Sequence, residues 1–363
     1  MGITISHESA LQALRKLRCD GKSIAEMDRV NLREPSTWVG KRWRLGEFQT
    51  EAWLLEPPSA AHQMHVLTPT RVGRIRMSNV VLHVVRNLPP RSAIQVNPNI
   101  SCVCPELLFF QMATSMELAK AVMIGYELCG NFAIQPANRH AKAATLIPAA
   151  TCVEDLARYI DSLDSKRGIV RAREVLSYVS DGAISVPEAA IATMYSLPSD
   201  CGGYGLGTVT LNQRVLADPE EEDEEPTRFP DLLLSFVPIG VNYDGEKDHL
   251  DLDGLVAAVR TAEYAEGDES NEARDALAKK LASVRAKYMD DIARNCQLAA
   301  RGYVVMPATK ENLYGKDNFD VFTKRLLLCA KNVFGANVDD VLRRIDDTNA
   351  KQVRYETLQS LLF

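Results

Sequence analysis

The sequence predicts an α/β protein, and three observations carry that reading. From residue 185 onward the pattern runs helix, strands, helix, strand, helix, as when helices pack around a central sheet. Residues 37–100 carry short β-forming runs separated by prolines, and residues 105–183 are helical in texture. At 363 residues, 46% hydrophobic and 25% charged, the chain has apolar material for roughly two or three domains.

The elements follow in order. Residues 6–19 form a short helix: Ser6 is placed to cap it, and Leu11, Leu14 and Leu17 recur at helical spacing. Ala52–Leu55, Gln63–Leu67, Val80–Val85 and Ala93–Val96 read as strands, punctuated by Pro57-Pro58, Pro69, Pro89-Pro90 and Pro98. Pro105-Glu106 opens an apolar helix through Met112, and a second runs from Met116 to Leu128. Residues 152–163 and 168–180 form a further helix pair, the second with Ile169, Ala172, Val175, Leu176 and Val179 on one face. Ser185-Val186-Pro187-Glu188 opens a helix to about Leu197. Strands are expected near Thr208–Leu211, from Asp231 and over Ile239–Tyr243. Residues 254–301 are helical with a break at Gly267–Ser270, Tyr303–Pro307 is a buried strand, and helices follow from Phe319 with breaks at Gly335 and Asn349. The expected organisation is a helical N-terminal segment (1–36), a basic β-rich domain (37–104), a helical middle region (105–183), an α/β domain (184–335) and C-terminal helices (336–363).

Composition excludes several classes. The N-terminus lacks the apolar run of a signal peptide, and no stretch of ~18 apolar residues exists, so a cytoplasmic protein without a membrane partner is expected. The eight cysteines include no C-x-x-C and read as reduced thiols. Cys102 and Cys104 would share one face of a strand, a conceivable metal pair, but no His or Cys lies near them in sequence. Cys201–Gly207 has four glycines in seven residues, yet no Lys-Ser or Lys-Thr follows; it reads as a flexible connection, and no nucleotide cofactor is expected. Asp218–Glu225 holds seven acids in eight residues and reads as a solvated loop. The net charge is −6, but residues 1–100 carry 14 Lys+Arg against 8 Asp+Glu, a balance of +6 that leaves −12 for the remainder. A basic front end fits phosphate binding, and ordinary surface charge explains it equally well.

The acidic residues of the α/β region are ordered along the chain: Glu188, Pro230-Asp231, Asn242-Tyr243-Asp244-Gly245, His249, Asp291-Ile292-Ala293-Arg294, then Gly302-Tyr303-Val304-Val305. This order resembles the PD-(D/E)XK nuclease superfamily, in particular its very-short-patch-repair-like branch, over roughly residues 185–335. The resemblance implies a restriction-endonuclease-like α/β/α core acting on DNA. Glu188, Asp231, Asp244 and His249 would be catalytic, and Asp231, Asp244 and Asn242 would hold Mg²⁺ by hard oxygen ligation, the metal polarising a phosphate and activating water. His249 would act as a general base or orient the phosphate. The chain departs from the family where Asn242 replaces an acidic residue, which weakens a cation site by one charge, and it lacks the usual Lys. The middle region, 63–130, more loosely resembles the antitoxin of AbiE-type toxin–antitoxin systems through Arg71, Arg74 and Arg76, Ser101–Glu106 and the Ala119–Gly130 helix. That resemblance implies DNA contact by the three arginines.

Each residue also has a plainer role. Glu188 stands three positions after Ser185, the capping-box spacing. Asp231 after Pro230 suits a strand-entry turn, and Asp244-Gly245 a hairpin. His249 lies between acids in a loop; Asp291 and Arg294 are spaced to pair on a helix; the arginines suit any solvated surface. Two functions follow: a Mg²⁺-dependent DNA endonuclease of a bacterial defence or mobile-element system, or a catalytically degenerate nuclease fold that binds DNA or a partner protein as an antitoxin-like regulator.

Overall fold

The computed structural model describes residues 3–32, 59–60, 62–69, 79–135, 143–163, 167–212, 230–244, 252–264 and 268–362. The chain is mixed α/β and divides into two compact units, the first comprising 1–203 with 359–363 and the second 204–358. None of its described helices is long and apolar enough to cross a membrane.

The first unit begins with β1 (Ile3–Ile5), α1 (His7–Cys19), β2 (Arg29–Val30), β3 (Met64–Thr68), β4 (Val80–Val84), β5 (Ala93–Asn97) and β6 (Ile100–Val103). Its sheet has the order β2-β5-β6-β1-β3-β4. The N-terminal strand is therefore interior, parallel to β6 and antiparallel to β3. Ile3, Thr4 and Ile5 are all buried, as expected of a strand covered on both faces. The hydroxyl of Thr4 meets that of Ser101 on β6 at 2.8 Å, which satisfies both polar groups inside the sheet. Segments that the sequence separates at 36/37 thus share one sheet.

Leu11, Leu14 and Leu17 of α1 are buried, so its apolar stripe faces the core as their spacing predicts. Ser6 precedes the helix but makes no side-chain cap. The helices α2 (Pro105–Ser115) and α3 (Leu118–Cys129) are buried almost all round, the mark of interior helices. Gly125 permits their close packing, since a Cβ there would lie 2.6 Å from Val179 Cγ2 and 3.0 Å from Phe109. The short pair β7 (Phe132–Ala133) and β8 (Ala144–Thr145) follows, then α4 (Val153–Asp161), α5 (Ile169–Leu176) and α6 (Val186–Ser196).

Two arginines of α1 tie it to α3. Arg15 donates to both carboxylate oxygens of Glu127, the closest contact being 2.6 Å, and Glu127 also accepts the Ile134 N–H at 3.0 Å. Arg18 is itself buried and donates to the carbonyls of Glu127, Gly130 and Pro148, around the C-terminal end of α3. A second fork, Arg29 on Glu106, joins β2 to the start of α2, with Thr151 donating to the same carboxylate.

The second unit contains β9 (Val209–Leu211), β10 (Leu232–Leu234), β11 (Ile239–Asp244), α7 (Leu252–Tyr264), α8 (Asp268–Ala300) and β12 (Val304–Thr309). After these come α9 (Lys310–Tyr314), α10 (Asn318–Phe334), α11 (Asp339–Ile345) and α12 (Thr348–Leu362). The sheet order is β12-β11-β10-β9: three antiparallel strands in sequence, then β12 parallel to β11 after the α7–α8 crossover. Gly335 ends α10 at φ +68°, as a left-handed helix terminus requires. Asn349 stands within the first turn of α12, contrary to the break expected there. The buried Asp320 of α10 accepts Tyr204 Oη at 2.6 Å and both Nε and Nη2 of the buried Arg354, which fastens α12 to α10.

The glycine-rich segment does specific conformational work rather than forming a plain connection. Gly202, Gly205 and Gly207 have positive φ, and a Cβ on Gly203 would lie 2.1 Å from the Leu197 carbonyl oxygen.

Glu127 is 1% exposed, so removing it leaves a partly buried guanidinium and the Ile134 N–H unpaired. Glu127→Ala is expected to lower the unfolding free energy by about 3 kcal/mol, measured by urea denaturation. A loss below about 1 kcal/mol would mean that Arg15 recovers full solvation.

Candidate functional site

The sequence-predicted acids fall into two groups. Asp231 stands immediately before β10, and Asn242 and Asp244 lie on β11. The register pairs Leu232 with Val241, which sets Asp231 opposite Asn242. Opposed residues, and residues two apart on a strand, project from the same face, so Asp231, Asn242 and Asp244 share one face of the sheet. Pro230 fixes the entry, for a Cβ at Gly240 would lie 2.3 Å from its ring, and only glycine lets β11 pass so close.

Asp231 and Asn242 hold each other's strands. The Asp231 N–H donates to Asn242 Oδ1 at 3.1 Å, and the Tyr243 N–H donates to Asp231 Oδ2 at 2.7 Å. Asn242 is 4% exposed. A Mg²⁺ site would draw on the same oxygens, at about 2.1 Å from the ion. The donor set is two carboxylates and one neutral amide, and two of its oxygens already accept backbone N–H groups. It fits a magnesium centre poorly.

Asp231 and Asp244 belong to the second unit, and Glu188 to the first. Its bonds are those of a helix cap: Ser185 Oγ donates to Oε1 at 2.7 Å, the Ile184 N–H donates to Oε2, and the Glu188 N–H reaches back to Ser185 Oγ. Asp291 and Arg294 pair along α8 at 3.0 Å, as their spacing allows. His249, Arg71, Arg74 and Arg76 lie outside the described residues. Cys102 and Cys104 are fully buried, their thiols pushed well above the ordinary range first by desolvation, and neither joins a metal-ligand cluster among the described residues.

A second cluster lies in the first unit, where three imidazoles converge. Nitrogen atoms of His7, His65 and His83 all lie within 4.8 Å of one another. His7 opens α1, His65 is on β3, and His83 is on the parallel neighbour β4, where the register pairs it with Leu67, two residues beyond His65. His65 Nδ1 is 2.8 Å from His83 Nε2, and the rings of His7 and His83 stack at 3.8 Å between centroids.

The backbone around the trio is held in detail. His7 has φ +51°, an uncommon conformation for a residue with a side chain. Its N–H donates to Gln111 Oε1 at 3.0 Å, and its Nδ1 lies 3.0 Å from Ser6 Oγ. The Ser6 hydroxyl therefore serves the imidazole instead of capping the helix. His65 accepts the Ser6 N–H on its carbonyl, and its own N–H donates to Ser9 Oγ. Gln111 is 5% exposed, and its Nε2 has no hydrogen-bond partner among the described residues. Burial lowers the pKa of all three histidines, that of His7 to about 3, with mutual repulsion among the rings adding to the effect at His7 and His83. All three are neutral at neutral pH, and they contribute no charge to the site.

No family model, curated protein or solved structure matches the chain.

The depressed imidazoles give a pH dependence of defined sign. The unfolded chain takes up these protons near 6.5, whereas folded His7 does so only at about 3. Between these values the unfolded state binds more protons, so the contribution is complete above about pH 6.5 and lost as pH falls toward 3. With chelator present, the urea midpoint is expected to drop between about pH 7.5 and about pH 5, before most carboxylates titrate. The drop should shrink in His7→Gln. An identical drop in both proteins would place the sensitive groups elsewhere.

Proposed function

We propose that the chain is a DNA-binding protein whose second unit is a nuclease-like module of the PD-(D/E)XK type, one that has lost efficient cleavage. The assignment rests on the resemblance of the ordered motifs, and the topology of the second unit supports it. Three antiparallel strands, a helical crossover and a fourth strand parallel to the third give the arrangement a restriction-endonuclease-like core would need. Pro230-Asp231 enters its second strand, and Asn242-Tyr243-Asp244 ends its third.

The observation that favours binding over cutting is the reciprocal pairing of Asp231 with the strand of Asn242. The position that would complete the acidic set is an amide, and its oxygen is engaged by backbone. A divalent ion there meets less negative charge, and binding it would compete with two strand hydrogen bonds. DNA contact is assigned to the front end of the chain, where residues 1–100 carry 14 Lys+Arg against 8 Asp+Glu. The defence or mobile-element setting, with an antitoxin-like regulatory role, follows from the looser resemblance of residues 63–130.

One set of measurements tests this reading. Duplex DNA binding should weaken steeply as salt rises, through counterion release, and replacing Arg71, Arg74 and Arg76 together with Ala should flatten the slope by about 3 units or less. In a Mg²⁺ titration neither the wild type nor Asn242→Asp should give cleavage above background. Mg²⁺-dependent cleavage by the wild type that Asp231→Ala abolishes would restore the endonuclease reading. Absence of salt-dependent binding would sink the DNA assignment.

A further inference from the structure

We propose that His7, His65 and His83 form a binding site for a first-row transition-metal ion, with Zn²⁺ the representative species and one coordination position left for water or an exogenous ligand. The site lies within the first unit and is independent of the nuclease-like reading.

Convergence is the first argument. The chain has six histidines, and half of them meet here from three separate segments. Among the described residues this is the one group of three or more His, Cys, Asp or Glu close enough to share an ion. A tetrahedral zinc centre with Zn–N at ~2.1 Å spaces its nitrogens about 3.4 Å apart. His65 Nδ1 and His83 Nε2 stand at 2.8 Å and all three ligand nitrogens lie within 4.8 Å of one another, so turning the three rings about their side-chain bonds, opening the closest pair by about 0.6 Å, admits the ion. At 2.8 Å the two rings share a proton in an N–H···N bond. An ion replaces that proton once the donating ring carries its hydrogen on the other nitrogen, and no further chemistry is needed.

Donor type selects the metal. Three neutral imidazoles with no carboxylate among them suit zinc, copper, nickel or cobalt and are poor partners for Mg²⁺ or Ca²⁺. Three protein nitrogens leave the fourth tetrahedral position open, as in zinc sites that bind water. Each ring is half-buried, so the site is reachable from solvent.

The surroundings are built for orientation rather than for simple ring packing. Stacking alone does not need His7 at positive φ, with its N–H on Gln111 and a ring nitrogen on Ser6. A hydroxyl on Nδ1 orients the ring, and with Nδ1–H donating to Ser6 Oγ the other nitrogen presents its lone pair, as outer-shell partners of ligating histidines arrange. The buried Gln111, whose Oε1 accepts the His7 N–H, also carries an Nε2 with no hydrogen-bond partner among the described residues.

The test uses the full-length chain stripped with chelator and reloaded. Competition against a chromophoric chelator should give one tight Zn²⁺ equivalent, and Zn²⁺ should raise the thermal midpoint while Mg²⁺ leaves it unchanged. Co²⁺ should give the d–d bands of a tetrahedral site without thiolate charge transfer, which separates this site from the cysteines. His83→Phe keeps a ring on β4 and removes a ligand; it should weaken Zn²⁺ binding by about 100-fold or more, while His62→Ala leaves it unchanged. His65→Gln provides the same loss without a bulky replacement if His83→Phe fails to fold. Absence of a tight Zn²⁺ equivalent in the wild type would overturn the proposal, as would thiolate bands with Co²⁺ or unchanged affinity in a folded His65 or His83 variant.

Discussion

Three residues at the start of the chain, Ile3–Ile5, occupy the middle of a six-stranded sheet, and much of the first unit depends on that insertion. Without β1, β6 and β3 would face each other as two open edges. Because β1 is central, α1 starts at a fixed point above β3, and its arginines arrive where α3 ends. Arg15 and Arg18 then neutralise Glu127 and satisfy the carbonyls around the C-terminal end of α3, groups too buried for water to serve. The same placement brings His7 over His65 and His83. The ionic tie and the imidazole cluster are two consequences of one strand insertion.

The second unit carries a comparable constraint on a smaller scale. Pro230 lies against Gly240, and Asp231 and Asn242 exchange hydrogen bonds with each other's strands. These contacts set the β10–β11 register, and a one-residue slip would turn Asn242 and Asp244 to the opposite face. Polar groups that fix a strand entry this way are poorly placed to bind an ion as well, since any cation must compete with the backbone for the same oxygens. Structural and chemical demands conflict at Asp231, and the hydrogen bonds favour the structural one.

The two clusters represent opposite coordination chemistries. The strand-end set is two carboxylates and one neutral amide, oxygen donors of which two already accept backbone N–H groups. The imidazole set is nitrogen-only, neutral and half-buried, suited to borderline metals. They belong to different compact units, so each can be assigned on its own donors without reference to the other.

Much of this protein is legible in the sequence where the signal is local. Leucine spacing marks α1, Pro105 the start of α2, and Ser185 the cap of α6, where its hydroxyl accepts the Glu188 N–H although the Glu188 carboxylate bonds the Ile184 N–H and the Ser185 hydroxyl instead of the Ser185 amide. The Asp291–Arg294 pair and the strand at Ile239–Tyr243 follow from spacing and residue type in the same way. Other features depend on tertiary structure. A three-residue strand ahead of a helix has too few residues to show alternation, so β1 escapes a reading by periodicity. Ser6 looks like a helix cap, yet its hydroxyl serves an imidazole that only folding brings near. His7, His65 and His83 share no motif, because they meet through strand pairing between distant segments rather than through spacing along one element. Helices, most strands and the Ser185 cap are readable from sequence, since they depend on neighbours a few residues away; the sheet order, and with it the imidazole cluster and the division of the acids between two units, comes from long-range packing.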